Sequence, residues 1–154
     1  MASDHLIVDG NNLIHQAPEL ARLARSAFAQ ARHRLVEMLD ELAGSMAYRE
    51  VQVVFDGVGR EAEFEVHSPN LRVLFCPPNM TADSIIERLA NSDPNPAGIL
   101  VVTSDRGERD TVEAAGATSM SCGNFCDLLE RQRRRVSRRV EQQQSKTTLG
   151  DFFE

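Results

Sequence analysis

Short apolar runs that each stop at a polar turn constrain this chain more than any other feature. Leu6–Val8, Val51–Phe55, Leu71–Phe75 and Ile99–Val102 are apolar and partly β-branched, and Ala117–Met120 is a weaker fifth run. Runs this short and this apolar, broken only by Gln52 and Arg72, suit strands covered on both faces, as in a parallel sheet. The stretches between them place apolar residues at helical spacing. Strands alternating with helices predict an α/β fold, a three-layer sandwich with a mainly parallel central sheet. The 154 residues suffice for one domain with a sizeable core, and no internal repeat interrupts the pattern.

The first long helix is expected from about Glu19 to Ala43, with Gly44 as its stop. Leu20, Leu23, Ala24, Ala27, Phe28, Ala31, Leu35, Met38, Leu39 and Leu42 give it one apolar face. Arg22, Arg25, Arg32 and Arg34 lie largely off that face. Arg22 and Arg25, near its start, suit either solvation or contact with an RNA backbone. The segment from Val58 to Ser68 is acid-rich and reads as an edge strand or an irregular loop. Thr81 is a good N-cap for the next helix, with Asp83 in its first turn and Glu87 one turn further on the same face. A short helix over Arg109–Ala115 and a last helix from Asn124 to about Arg135 complete the reading.

Four acids stand at the ends of these elements. Asp9, Asp56 and Asp105 follow strands, and Asp83 opens a helix. Open α/β sheets bind ligands at the carboxyl ends of their strands, at the point where strand order reverses. If the first and fourth strands are neighbours, Asp9, Asp83 and Asp105 converge there, with Asn12 and Glu87 beside them. Carboxylates so crowded repel and need a cation, and an oxygen-rich set suits Mg²⁺ or Mn²⁺. Such an ion polarises a phosphodiester and activates water. Turn formation or helix capping is the alternative role for each acid.

Other chemistries lack their marks. The segment DGNN has no GxGxxG spacing, no P-loop is present, and TSDRG lacks the GxSxG elbow. His5, His15, His33 and His67 form no spaced ligand set, although His15 lies nearest the proposed site. Cys76, Cys122 and Cys126 are odd in number and suit reduced, mostly buried thiols rather than a disulfide framework or a zinc site. The opening residues lack the pattern of a signal peptide, and no stretch is apolar enough to span a bilayer. The expected setting is therefore cytoplasmic, with no membrane partner.

Charge is unevenly placed. Residues 1–130 hold 10 arginines and 20 acids, a net of −10, while residues 131–154 have a net of +4. An acidic body disfavours broad duplex binding, which wants a basic face. It leaves room for a small metal-assisted nuclease site.

The motifs IVDGNNLIH, VVFDG, TADSIIERL and VVTSDRG, in this order, resemble the YacP-like branch of the NYN-domain proteins, relatives of the PIN-domain nucleases. The resemblance covers about residues 5–130. It implies a PIN-like fold with strand order 3-2-1-4-5 and a metal-dependent endoribonuclease, in some bacterial members one acting on mRNA at the ribosome. It assigns catalytic and metal-binding roles to Asp9, Asp83 and Asp105, with Asn12 as the family's asparagine and Asp56 as the acid after the second strand. Asn11 departs from the aromatic residue often found in DGYN, which removes a surface on which a base can stack. Arg106 and Arg109 suit holding a phosphate near the metal.

The organisation expected is a PIN-like NYN domain over residues 1–130 and a basic helical extension with a flexible tail over 131–154. Six arginines fall between Arg131 and Arg139. Leu149, Phe152 and Phe153 resemble the anchors of a sliding-clamp-binding peptide, with Lys146 where such peptides carry Gln. Three functions follow: an endoribonuclease acting on single-stranded RNA, a catalytically inactive RNA- or ribosome-binding module, or a clamp-associated structure-specific DNA nuclease.

Overall fold

Residue alternation in the first strand sets the architecture. Leu6 and Val8 point to one face of the sheet and Ile7 to the other, and all three are fully buried. Both faces must therefore be covered. A computed structural model describes residues 4–153, with side chains through residue 144. Its five-stranded sheet comprises β1 (His5–Asp9), β2 (Glu50–Phe55), β3 (Leu71–Phe75), β4 (Ile99–Val102) and β5 (Thr118–Met120). The order is β3-β2-β1-β4-β5 and every pairing is parallel. This is the PIN/NYN-like α/β sandwich expected from the sequence.

Among the described residues six α-helices flank the sheet: α1 (Gly10–Gln16), α2 (Pro18–Ser26), α3 (Phe28–Gly44), α4 (Ala82–Ser92), α5 (Arg106–Ala114) and α6 (Cys122–Phe153). Leu6, Val8, Val53 and Phe55 share a core with Leu13, Leu35, Leu39 and Phe125, so α1, α3 and α6 cover one face. Ile7, Val54 and Val101 pack with Ile86, Ala90 and Val112, so α4 and α5 cover the other.

Several boundaries differ from the sequence reading. The single helix expected over residues 19–43 is two, parted at Ala27, whose backbone is extended (φ −157°). No Gly or Pro marks that break, and the apolar spacing runs through it. The chain is already helical ahead of Glu19, where the first long helix is expected to begin, because Asp9 caps α1 and Pro18 opens α2. Residues Glu61–Glu63 form one 3-10 turn, after which Phe64 is buried without joining a strand. The last helix begins at Cys122 and crosses the boundary placed at residues 130 and 131 without a break.

Gly10 is required by close approach. A Cβ there would lie 2.4 Å from Phe55 Cε1 and 3.0 Å from Val53 Cγ2. The first turn of α1 can thus settle directly onto β2, which fixes where Asp9 stands.

Asp40 on α3 ties down the segment that leads into β3. Its carboxylate accepts the backbone N–H of Ser68 at 2.8 Å and that of His67 at 3.0 Å. Burial raises its pKa, but these N–H donors outweigh burial and hold it below the ordinary 3.8. A depressed carboxyl adds stability above its unfolded pKa and loses it as pH falls through the folded pKa. Asp40→Asn should therefore lower unfolding stability by about 1 kcal/mol at neutral pH. Urea titrations of both proteins should converge once the pH falls below the usual aspartate range.

Candidate metal centre

Asp9 ends β1 at the middle of the sheet, between β2 and β4. Its Oδ1 accepts the N–H of Asn12 at 3.2 Å, which caps α1 and fixes the carboxylate. Asp83 lies in the first turn of α4, whose N-cap is Thr81. Glu108 lies in the first turn of α5 and is 5% exposed. One carboxylate oxygen from each of Asp9, Asp83 and Glu108 falls within 4.8 Å of the other two. Asp9 and Glu108 are buried, while Asp83 is exposed and opens the group to solvent.

The electrostatics of the group favour a proton or a cation among the acids. Burial, followed by the adjacent Asp9, pushes Glu108 up to about 10. Burial likewise raises Asp9, with Asp83 and Asp56 adding repulsion. Thr103 Oγ donates to Glu108 Oε2 at 2.9 Å, but no N–H or hydroxyl donor reaches the buried Glu108 Oε1, and Glu108 and Asp9 can hydrogen-bond only through a shared proton. A buried carboxylate oxygen without a donor costs free energy unless a proton or cation meets it. Three hard oxygen donors with one such orphan atom fit Mg²⁺ or Mn²⁺.

The third corner is thus Glu108, and Asp105 lies outside the group. Asp105 is the N-cap of α5, and its Oδ1 accepts the Glu108 N–H at 3.0 Å. That bond engages the Asp105 carboxylate and aims the first turn of α5, and with it Glu108, at Asp9. Glu87 is exposed one turn beyond Asp83 and also stands outside the group.

Asn12 gathers the surrounding segments. Its Oδ1 accepts the Ser104 N–H at 2.8 Å and the Cys122 thiol at 3.2 Å. Asp56 is a scaffold residue: its Oδ1 accepts the Ala82 N–H at 2.9 Å, beside Asp83, and its own N–H donates to Asn11 Oδ1 at 3.1 Å. Asn11, in place of the aromatic residue, thus holds the exit of β2. Arg32 Nη2 donates to the Asp56 carbonyl at 2.7 Å while its guanidinium lies 5.1 to 5.6 Å from the ring centres of Phe28, Phe55 and Phe75.

The remaining expected residues are dispersed. Arg106 is exposed at the start of α5, and Arg109 Nε donates to Ser119 Oγ on β5 at 3.0 Å. Arg22 and Arg25 are exposed on α2. The side chains of Leu149, Phe152 and Phe153 lie outside the described residues, so the clamp-like peptide is untested. Sequence reasoning missed Glu108. Its signal was an acid three residues after Asp105, sharing a helix face with Val112, which is buried.

A parallel sheet of order 3-2-1-4-5 with an acidic, cation-ready group at its switch point defines a PIN-like, nuclease-class domain. The chain belongs to the YacP-like NYN domain family, whose model matches residues 6–152. It is 34% identical over 149 residues to the uncharacterized protein YacP of Bacillus subtilis (strain 168), covering 96% of this chain and 87% of that protein. The crystal structure of Rae1 (YacP) from Bacillus subtilis aligns with a TM-score of 0.81 at 34% identity, over 96% of this chain and 85% of that one. A single-residue variant of Rae1 aligns with a TM-score of 0.77, over 90% and 82%. Among the described residues, no helix is long and apolar enough to cross a membrane.

Proposed function

We propose that this protein is a Mg²⁺- or Mn²⁺-dependent endoribonuclease that hydrolyses single-stranded RNA in the cytoplasm, with mRNA on the ribosome as its natural target. The observation that carries the reading is the convergence of Asp9, Asp83 and Glu108 oxygens within 4.8 Å, with Glu108 Oε1 buried and reached by no N–H or hydroxyl donor. Asp9, Asp83 and Glu108 would hold the ion, which when bound supplies charge stabilisation for the phosphodiester and an activated water. Asp105 holds Glu108 through the α5 cap, and Thr103 keeps its other oxygen oriented. Asn12 joins β1 to the β4 exit, and Asp56 seats the start of α4, so each acid is held by a different rigid element. Asp83, exposed, faces the side from which a strand can enter. Arg106 is available to an incoming phosphate.

The test is cleavage of a single-stranded RNA pool with Mn²⁺. Activity should vanish on chelation, and Asp9→Asn should lower kcat by about 100-fold or more while leaving RNA affinity within a few-fold. The same trace cleavage by both proteins, with RNA binding intact, would move the chain to the class of binding modules.

A further inference from the structure

An excess of positive charge lies along one side of the last helix. Helix α6 packs on the body through Cys122, Phe125 and Leu129, all buried. At 3.6 residues per turn, Arg131, Arg134, Arg135, Arg138 and Arg139 fall at i, i+3, i+4, i+7 and i+8, a single stripe. That stripe lies opposite the packing face, and all five arginines are exposed. The packing face itself runs on past the body as Val136 and Val140, 48% and 47% exposed. Among the described residues the stripe has one ion pair, Arg134 Nε to Glu130 at 3.4 Å. Residues 131–144 contain one acid, Glu141, against six arginines.

We propose that this stripe grips the phosphate backbone of single-stranded RNA flanking the scissile bond, an inference that rests on reading the acidic group as an RNA-cleaving centre. The need follows from charge. A body of net −10 repels RNA, and the site itself is built of carboxylates, so a strand must be anchored elsewhere. The position follows from the helix. Its first residue, Cys122, donates its thiol to Asn12, whose backbone N–H in turn donates to Asp9. At 1.5 Å per residue, Arg131 stands about 14 Å and Arg139 about 26 Å along the axis from that point. The residue type agrees: every cation of the stripe is arginine, whose planar fork matches phosphate oxygens in pairs. A single line of cations fits one strand, and the acidic body offers a second strand no counterpart.

The experiment measures binding of unstructured RNA to the full chain carrying Asp9→Asn, in chelator, so that it needs no turnover. Parent, a five-fold Arg→Gln variant of the stripe and a five-fold Arg→Lys variant are compared on 20-nucleotide and 6-nucleotide strands across salt. Three nucleotides on each side of a cut span about 10 Å when stacked and fall short of the stripe. With the 20-mer, the log Kd against log salt slope should be flatter by about 3.5 in the Gln variant, at about 0.7 per phosphate contact. The Lys variant should restore it. The affinity gained between the 6-mer and the 20-mer should shrink at least about tenfold in the Gln variant. Equal slopes in parent and Gln variant would overturn the proposal. So would preferred, stripe-dependent binding of the matching duplex, which would assign the arginines to double-helical RNA. A chain that never cleaves yet shows the slope change would fail the nuclease reading alone.

Discussion

Glu108→Gln should reduce RNA cleavage by about 100-fold or more, whereas Asp105→Asn should cost only about 10-fold. Glu108 offers a buried oxygen to the group formed with Asp9 and Asp83, so the amide removes charge where the ion would sit. Asp105 caps the first turn of α5 and acts on Glu108 through the backbone. An asparagine still caps a helix, so the Asp105 variant should keep its fold and most of its aim. Initial rates on one single-stranded RNA with Mn²⁺, with circular dichroism to check the fold, decide the matter. A larger loss for Asp105→Asn than for Glu108→Gln would put Asp105 at the ion.

Adding Mn²⁺ should raise the melting temperature of the protein markedly. Three carboxylates forced together make the metal-free fold less stable than it need be. An ion bound only by the native state at 100 times its Kd adds about 2.7 kcal/mol, which for a chain of this size is about 5 to 10 °C. Glu108→Gln should abolish that shift and, in chelator, should melt higher than the parent, because a buried acid that must take up a proton on folding is replaced by a neutral amide. Opposite movements of the same variant in the two buffers are hard to obtain from a purely structural residue. An unchanged melting curve of the parent at saturating Mn²⁺ would remove the metal from the site.

Strand positions were legible because both faces of the sheet are covered, which made β1 to β4 plain apolar runs ending in turn residues. Strand order came through the ordered motifs, since short parallel strands carry no register mark of their own. The helix break at Ala27 left no trace: alanine is at home on either side of it, and the fold, not local propensity, bends the chain there. Asp9 and Asp83 were legible as acids at element ends. Glu108 was harder because it stands three residues after the capping Asp105, at the third position of the helix, and looks like part of a capping box. The structure uses it otherwise: Asp105 supplies the cap, and the glutamate turns inward to Thr103 and Asp9. An acid on the buried face of an amphipathic helix is the mark to look for, and Val112, also buried and one turn on, gives that face away.

The contacts of Asn12 bear on when the protein becomes competent during its own synthesis. Its Oδ1 joins residues 92 and 110 positions later in the chain, Ser104 and Cys122. Glu108 arrives nearly as late, and β4 must insert beside β1 before it can be aimed. A growing polypeptide that ends before α5 therefore holds two of the three acids and none of the late contacts that order them. Such long-range closure belongs to the last stage of folding, after the entropy of the intervening loops has been overcome. Copies that stop before α5 thus lack both Glu108 and the contacts that order the group, so the three acids can come together only once the chain has been made through that point.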